Sequence, residues 1–539
     1  MASTRVPGRG FDKLSHRLDL LQKDSLVRNP LISGFHPDPS VVRVGSDYYL
    51  ANSTFEYYPG IPVFHSTDAE HWQLLTHVAV RDGQLGSHLA ATGGGAWAPT
   101  IRHHDGRFWL VIPDMMGGRG NVLFTADRPE GPWSDGIVMD VLGIDPDIAW
   151  DDEGTCYVTM SGFVITDAGT LEHQGITQVR FDPETGQGLE TPRRLWSGTG
   201  GMFPEAPHLY HIGDWWYLMI AEGGTERGHS VTIARGPSAE GPFTGCPHNP
   251  LVTARGTDRP VQNTGHGDLV QLPDDSWAMV LLGTRPRSMT RAFAPMGRET
   301  FITPVTWEDG WPHAAPVHLD ERHEPIERAF TFPADDAASL DGFDGEFVAV
   351  RQFPREVADL NARPGWARLT GRGEGMEANK PVFLGVRQCT EGMVLEATLD
   401  ASAGVGGLSV RFDETFHLDL EVDGAEVTAT MFANLLRQSW THTRADDSAE
   451  VRLRLVAEPA DSGTFGVTVG CDLLKAEVFD GGAWVTVGST DGRYLSSDVC
   501  ESFTGRVAGP YARSGVIDVL RLDYSGQDIQ RGALQSHGE

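Results

Sequence analysis

The sequence predicts an all-β protein in two parts, a five-bladed β-propeller followed by a β-sandwich. Three observations carry that expectation: a strand–turn–strand pattern recurs along the first three hundred residues, short alternating apolar runs fill the last two hundred, and eleven of the fourteen tryptophans fall between Asn29 and Pro312. The repeat runs over Pro39–Leu50, Pro99–Leu110, Pro146–Val158, Pro207–Leu218 and Gly267–Met279. Its starts are separated by roughly 47 to 61 residues, which is the length of a four-stranded blade with extended loops.

Each copy places apolar and aromatic residues on both sides of a Gly or Asp turn, the pattern of a hairpin. In a propeller the innermost strand of every blade lines one axial channel, so the residues that open each copy converge although they are distant in sequence. Those positions hold Asp38, Trp97, Asp145, Glu205 and His266. Three carboxylates, a tryptophan and a histidine are therefore expected at one place.

Taken in order, residues 1–28 form an N-terminal extension in which Phe11, Leu14, Leu18 and Leu21 have the spacing of a short amphipathic helix. The extension lacks the apolar core and cleavage site of a signal peptide, and a cytoplasmic protein is expected. Residues 29–320 make the propeller. Within it Phe64–Trp72, Phe124–Trp133 and Ile233–Phe243 form a second, weaker repeat read as outer hairpins. Residues 321–340 mix charge, Pro and Ala without periodicity and read as a linker. Residues 341–527 form the sandwich, its strands announced at Val394–Leu399, Phe416–Val422, Val451–Val456, Thr464–Val469 and Val516–Leu522, and residues 528–539 are a tail. Cys156, Cys246, Cys389, Cys471 and Cys500 are scattered, so they read as reduced thiols. A formal net charge of −31 opposes binding to nucleic acid or anionic membranes.

Seven runs occur in a definite order: Phe35–Ser40, Ser53–Gly60, Trp97–Thr100, Ile144–Pro146, Pro204–Tyr210, Ala221–Thr225 and Gly297–Thr300. Together they resemble the signatures of the family 43 glycoside hydrolases, in the branch of β-xylosidases and α-L-arabinofuranosidases with an added C-terminal sandwich. Arg363–Trp366, Ala403–Leu408 and Ser502–Gly505 more loosely resemble that branch's concanavalin-like domain. The resemblance implies a general base at Asp38, a general acid at Glu205, and at Asp145 a carboxylate that orients Glu205 and raises its pKa. It implies inversion, with about 6.5–9.5 Å between acid and base to admit a water. It also implies apolar sugar walls at Phe55 and Trp97, a weaker pocket position at Thr225, and an arginine, Arg298, reaching the terminal sugar's hydroxyls. His266 resembles the channel histidine that in some members helps to hold a hydrated calcium or another cation. No cofactor is required. Phe503 is the expected contribution of the sandwich to the pocket.

The residues also admit plainer readings. Asp before Pro is a common turn opener, His266 could be a hydrogen-bonded core residue, Arg298 an ion-pair partner, and Phe503 part of the sandwich core. Glu222 is expected to support the site from behind, and Asp151, Asp152 and Asp268 to lie in or near hairpin turns. The expected activity is exo-hydrolysis of β-1,4-xylo-oligosaccharides, with arabinose release from arabinoxylan or arabinan fragments as the alternative; homo-oligomerisation is left open. A catalytically silent sugar-binding propeller would have lost a carboxylate, and all three are present. Retaining, invertase-like chemistry would need an Asn-Asp-Pro-Asn run where this chain has His36-Pro37-Asp38-Pro39-Ser40.

Overall fold

The computed structural model describes residues 28–165, 170–288, 290, 292–320, 324–334, 338–445, 448–460 and 470–529. The expected helix at Phe11–Leu21 and the strand at Thr464–Val469 lie outside these residues. Five antiparallel sheets of four or five strands form the blades. Their innermost hairpins pair Ser40–Val44 with Asp47–Ala51, Thr100–His104 with Arg107–Met115, Gly143–Trp150 with Cys156–Ile165, Glu205–Ile212 with Trp215–Glu222, and Gln262–Gln271 with Trp277–Thr284. These are the five repeats read from the sequence. The ring closes where Leu31 and Ile32 donate to the carbonyl of Thr300, and where the Asn29 side chain both donates to and accepts from the Ile302 backbone.

The axis is filled by one polar side chain from each blade: Ser40, Arg102, Asp147, His208 and Asp268. Arg102 lies 2.8 Å from both Asp147 and Asp268, and its Nη2 donates to Nδ1 of His208 at 2.8 Å. Ser40 and Tyr210 each donate to Asp268. Asp268 is thus not a turn residue; it is fully buried within the last innermost strand, and burial without Arg102 would be prohibitive for its charge.

The sandwich is a twelve-stranded antiparallel arrangement built around two long strands, Gly392–Arg411 and Val507–Gln527, which pair along most of their length. Register shifts at Asp400/Ala403 and Val405/Gly406 bend the pair so that it serves both layers. Alternation decides the core: Met393, Leu395, Ala397 and Leu399 point inward with Val451, Leu453, Leu455 and Ala457, while the residues between them are less buried. The stretch expected to be a linker contributes a strand of its own, Ile326–Phe330, paired with Leu522–Gly526. Asp528, placed in the expected tail, forms an ion pair with buried Arg285 of the propeller at 2.7 Å. All five cysteines are free thiols.

The two parts share an apolar core of their own. Phe35, Phe55 and Tyr57 of the propeller pack with Val348, Val350, Phe383, Val507 and Tyr511 of the sandwich, and Tyr57–Tyr58 pairs with Ala349–Val350 as a two-stranded sheet across the boundary.

Candidate active site

Four of the five blades begin with a residue in the left-handed region: Asp38 (φ 54°), Asp145 (51°), Ala206 (49°) and His266 (47°). That conformation is unusual for residues other than glycine and marks a position held by its surroundings. Register shifts between Ile144 and Asp147, between Glu205 and His208, and between Gly265 and Gly267 show that three of these starts are β-bulges. A bulge turns the side chain out of the sheet alternation. Here it aims the side chains into a cavity of about 330 Å³ at the mouth of the channel.

Asp38 is held by three groups. Ser53 donates to Oδ2 at 2.6 Å, Arg298 Nη1 donates to Oδ1 at 3.1 Å, and Nδ1 of His266 lies 3.4 Å from Oδ1. Burial on its own would raise this carboxyl, but Arg298, His266 and Ser53 together hold it well below the usual carboxylate range. The loop carrying it is fixed as well, because Asn52 Nδ2 and the Thr300 hydroxyl donate to the carbonyls of His36 and Pro37.

Glu205 is clamped through its neighbours. Ser161 Oγ donates to the Pro204 carbonyl at 2.9 Å on one side, and the Ala206 N–H donates to Asp145 Oδ2 at 3.1 Å on the other. Glu222 lies outside the pocket lining and ties down the preceding loop, accepting from the backbone of Thr199 and Gly201 and from the hydroxyls of Thr199 and Thr232. The carboxyl that is pushed up is that of Asp145, to about 7; burial is the main cause, opposed by His266 and reinforced by the charges of Glu205 and Asp38.

The walls come from both parts of the chain. Phe503 stacks on Phe55 with centroids 5.9 Å apart and an interplanar angle of 14°, and meets Trp97 edge-on at 5.8 Å. Arg298 lies over both phenylalanine rings, bonds the Thr225 hydroxyl at 3.0 Å, and donates through Nη2 to the Phe503 carbonyl at 3.3 Å. Phe503 is therefore a pocket residue and lies outside the sandwich core. The approach is so close that a Cβ on Gly297 would sit 2.3 Å from the Thr504 carbonyl oxygen, and one on Gly505 2.3 Å from that of Met296. Gly297 opens one of the seven ordered runs and Gly505 closes Ser502–Gly505, so the two motifs meet in space.

The sequence profile of glycosyl hydrolases family 43 matches residues 27–312, and that of the beta-xylosidase C-terminal concanavalin A-like domain matches residues 340–517. The chain belongs to family 43. It is 35% identical over 511 residues to a non-reducing end alpha-L-arabinofuranosidase of Bacteroides ovatus, spanning 90% of this chain and 91% of that one. It is 34% identical over 369 residues to a beta-xylosidase of Bacillus subtilis, spanning 64% and 68%. Among solved structures, a xylan beta-1,4-xylosidase from Bacillus halodurans superposes with a TM-score of 0.81 at 28% identity, covering 92% of this chain and 99% of that one.

In this family 43 hydrolase all nine residues singled out from the sequence, Asp38, Phe55, Trp97, Asp145, Glu205, Thr225, His266, Arg298 and Phe503, line the one cavity. Sequence reasoning missed Phe163, His173, Phe203 and His229, which line it too. His173 lies on a third strand and His229 just ahead of one, where the repeat gives no cue. His229 donates from Nδ1 to the Asn263 carbonyl, and burial lowers its pKa to about 4, so the ring is neutral. It also explains Gly265, since a Cβ there would lie 2.4 Å from the His229 ring.

The cation that the resemblance associates with His266 does not fit these residues. His266 Nδ1 faces Asp38, and the axial space beneath is taken by the Arg102 guanidinium between Asp147 and Asp268. Among the described residues no group of three or more His, Cys, Asp or Glu side chains is placed to hold an ion.

Proposed function

We propose that this glycosidase is an exo-acting, inverting enzyme that releases xylose from the non-reducing end of short β-1,4-xylo-oligosaccharides. The observation that carries this reading is the meeting of three carboxylates, from three different blades, in one small pocket that a phenylalanine of the sandwich helps to close. Asp38, ionised at neutral pH, takes a proton from the attacking water. Glu205 protonates the departing glycosidic oxygen. Asp145 accepts from the Ala206 amide and so fixes the backbone beside the acid.

The cavity lies near the lower end of the range of about 300–1,000 Å³ usual for small-molecule sites, which suits a terminal sugar better than the middle of a polymer. Phe55, Trp97 and Phe503 supply apolar faces for a pyranose ring. Arg298 keeps a buried Nε–H without a protein partner, a donor suited to a sugar hydroxyl.

The second reading is an α-L-arabinofuranosidase, supported by the Bacteroides ovatus relative that matches along nine-tenths of this chain. Comparing kcat/KM on the two 4-nitrophenyl glycosides decides between them, and a higher value on the arabinofuranoside reverses the order. An NMR time course tests the stereochemistry: first-formed α-xylose from a β-xyloside is the expected product, and first-formed β-xylose refutes inversion.

A further inference from the structure

One side chain approaches Glu205 without a part in the chemistry described so far. His173, on Leu171–Asp182 of the third blade, places Nε2 3.7 Å from Glu205 Oε1. Its hydrogen bonds fix its protonation. Ser161 gives its only hydroxyl proton to the Pro204 carbonyl, so Ser161 Oγ must accept from Nε2–H at 2.8 Å. On the other side the Gly175 amide, which can only donate, lies 3.4 Å from Nδ1. The imidazole is therefore neutral with its hydrogen on Nε2. Phe163 packs against the ring at 5.1 Å and Phe203 at 6.3 Å. The other titratable or charged groups lining the cavity around this pair are Asp38, Asp145, His229, His266 and Arg298.

From this geometry we propose that His173 is the positioning residue of the general acid, resting on the assignment of Glu205 made above. At rest the single Nε2–H is given to Ser161 Oγ, and the transferable proton is carried by Glu205. When it passes to the glycosidic oxygen, the bond from that oxygen to the anomeric carbon breaks, water adds to the carbon, and the water's proton goes to Asp38. The charge left on Glu205 then draws that one Nε2–H away from Ser161 Oγ, 2.8 Å from the ring nitrogen, toward Oε1 at 3.7 Å, which needs a closure of under an ångström to reach hydrogen-bond distance. Ser161 holds both the Pro204 carbonyl and the His173 ring, so the backbone position of the acid and the ring that meets its charge are fixed together.

The test compares the full-length wild type with His173→Phe, which keeps a packed ring but no donor, and His173→Gln, which keeps a donor. On xylobiose, whose leaving group needs protonation, His173→Phe is expected to lose about ten-fold or more in kcat with KM nearly unchanged; on 2,4-dinitrophenyl β-xyloside the loss stays below about three-fold. The alkaline limb of the xylobiose profile moves to higher pH, because a donor to the carboxylate has gone. His173→Gln recovers most of the rate. Equal losses on both substrates, or an unmoved alkaline limb, overturn the proposal. If His173→Phe does not fold, the ¹⁵N shifts of His173 in the wild type decide: an Nε2–H tautomer is expected, and an Nδ1–H tautomer or an imidazolium at neutral pH overturns it. Glu205→Ala is the control, and full activity of that variant on xylobiose shows that the acid itself was wrongly assigned.

Discussion

Asp145→Asn tests the electrostatics of the site in two independent ways. The substitution keeps the shape of the side chain, and an amide oxygen can still accept from the Ala206 N–H. It removes a carboxyl whose pKa rises from 3.8 to about 7 on folding. Between those values the folded state holds the proton more tightly than the unfolded chain, so the stabilisation is complete below the unfolded pKa and is lost as pH rises through the folded one. At about 1.4 kcal/mol per pH unit the wild type could lose as much as roughly 4 kcal/mol on this account. One face of the carboxyl opens on the cavity, where solvent screens it, so about 2 kcal/mol is the more realistic figure. Thermal melts of both proteins between pH 4 and 8 check this. The difference in melting temperature should favour the variant increasingly from pH 4 to 7 and then level off. The kinetic counterpart is a shift of the alkaline limb of kcat/KM to lower pH, since a negative charge beside the acid has been removed. Parallel melting curves refute the burial argument, and an unmoved limb refutes the modulating role of Asp145.

Three further outcomes follow from the same structure. Asp38→Ala should abolish turnover of every glycoside, whereas Glu205→Ala should retain activity on dinitrophenyl glycosides and be rescued by azide; the reverse pattern on the two variants would exchange the roles. Phe503→Ala removes a ring that is 38% exposed toward the cavity, leaving on the order of 80 Å² that a sugar can cover, worth about 1–2 kcal/mol or roughly five- to thirty-fold in kcat/KM. The bond from Arg298 goes to the Phe503 backbone and survives, so a large fall in melting temperature would contradict a local role. Dialysis against EDTA should leave activity and melting temperature unchanged, whereas Arg102→Met, which leaves the Asp147 and Asp268 carboxylates without their counter-charge, should lower the melting temperature strongly; an EDTA-sensitive wild type would contradict Arg102 as the axial cation.

The hairpins were legible because each alternates about a turn, and the three carboxylates because Pro or a small residue follows them at the head of every copy. The axial plug is not legible in the same way. Ser40, Asp147, His208 and Asp268 stand two residues beyond Asp38, Asp145, Ala206 and His266, but in three of the blades the first of each pair sits in a bulge, so plain alternation does not lead from one set to the other. The expectation that Asp268 lies in or near a hairpin turn misses the last of them, which sits within Gln262–Gln271. His173 was not legible in this way, since its place beside Glu205 depends on how the third strand of one blade crosses toward the first strand of the next. Ile326–Phe330 reads as a connector in the sequence because its partner, Leu522–Gly526, lies almost two hundred residues away.

The seam at Gly297 and Gly505 has a consequence for the order of synthesis. The propeller's last strand, Trp311–Ala314, leaves the ribosome well before Phe503, and Ile326–Phe330 must wait for Leu522–Gly526 before it has a partner. A nascent chain therefore carries all three carboxylates long before the residue that makes the pocket's final wall. Competence arrives only once Phe503 and the long strand Val507–Gln527 behind it have been made. The contact between two glycine-bearing loops thus ties the completion of the pocket to the making of the sandwich.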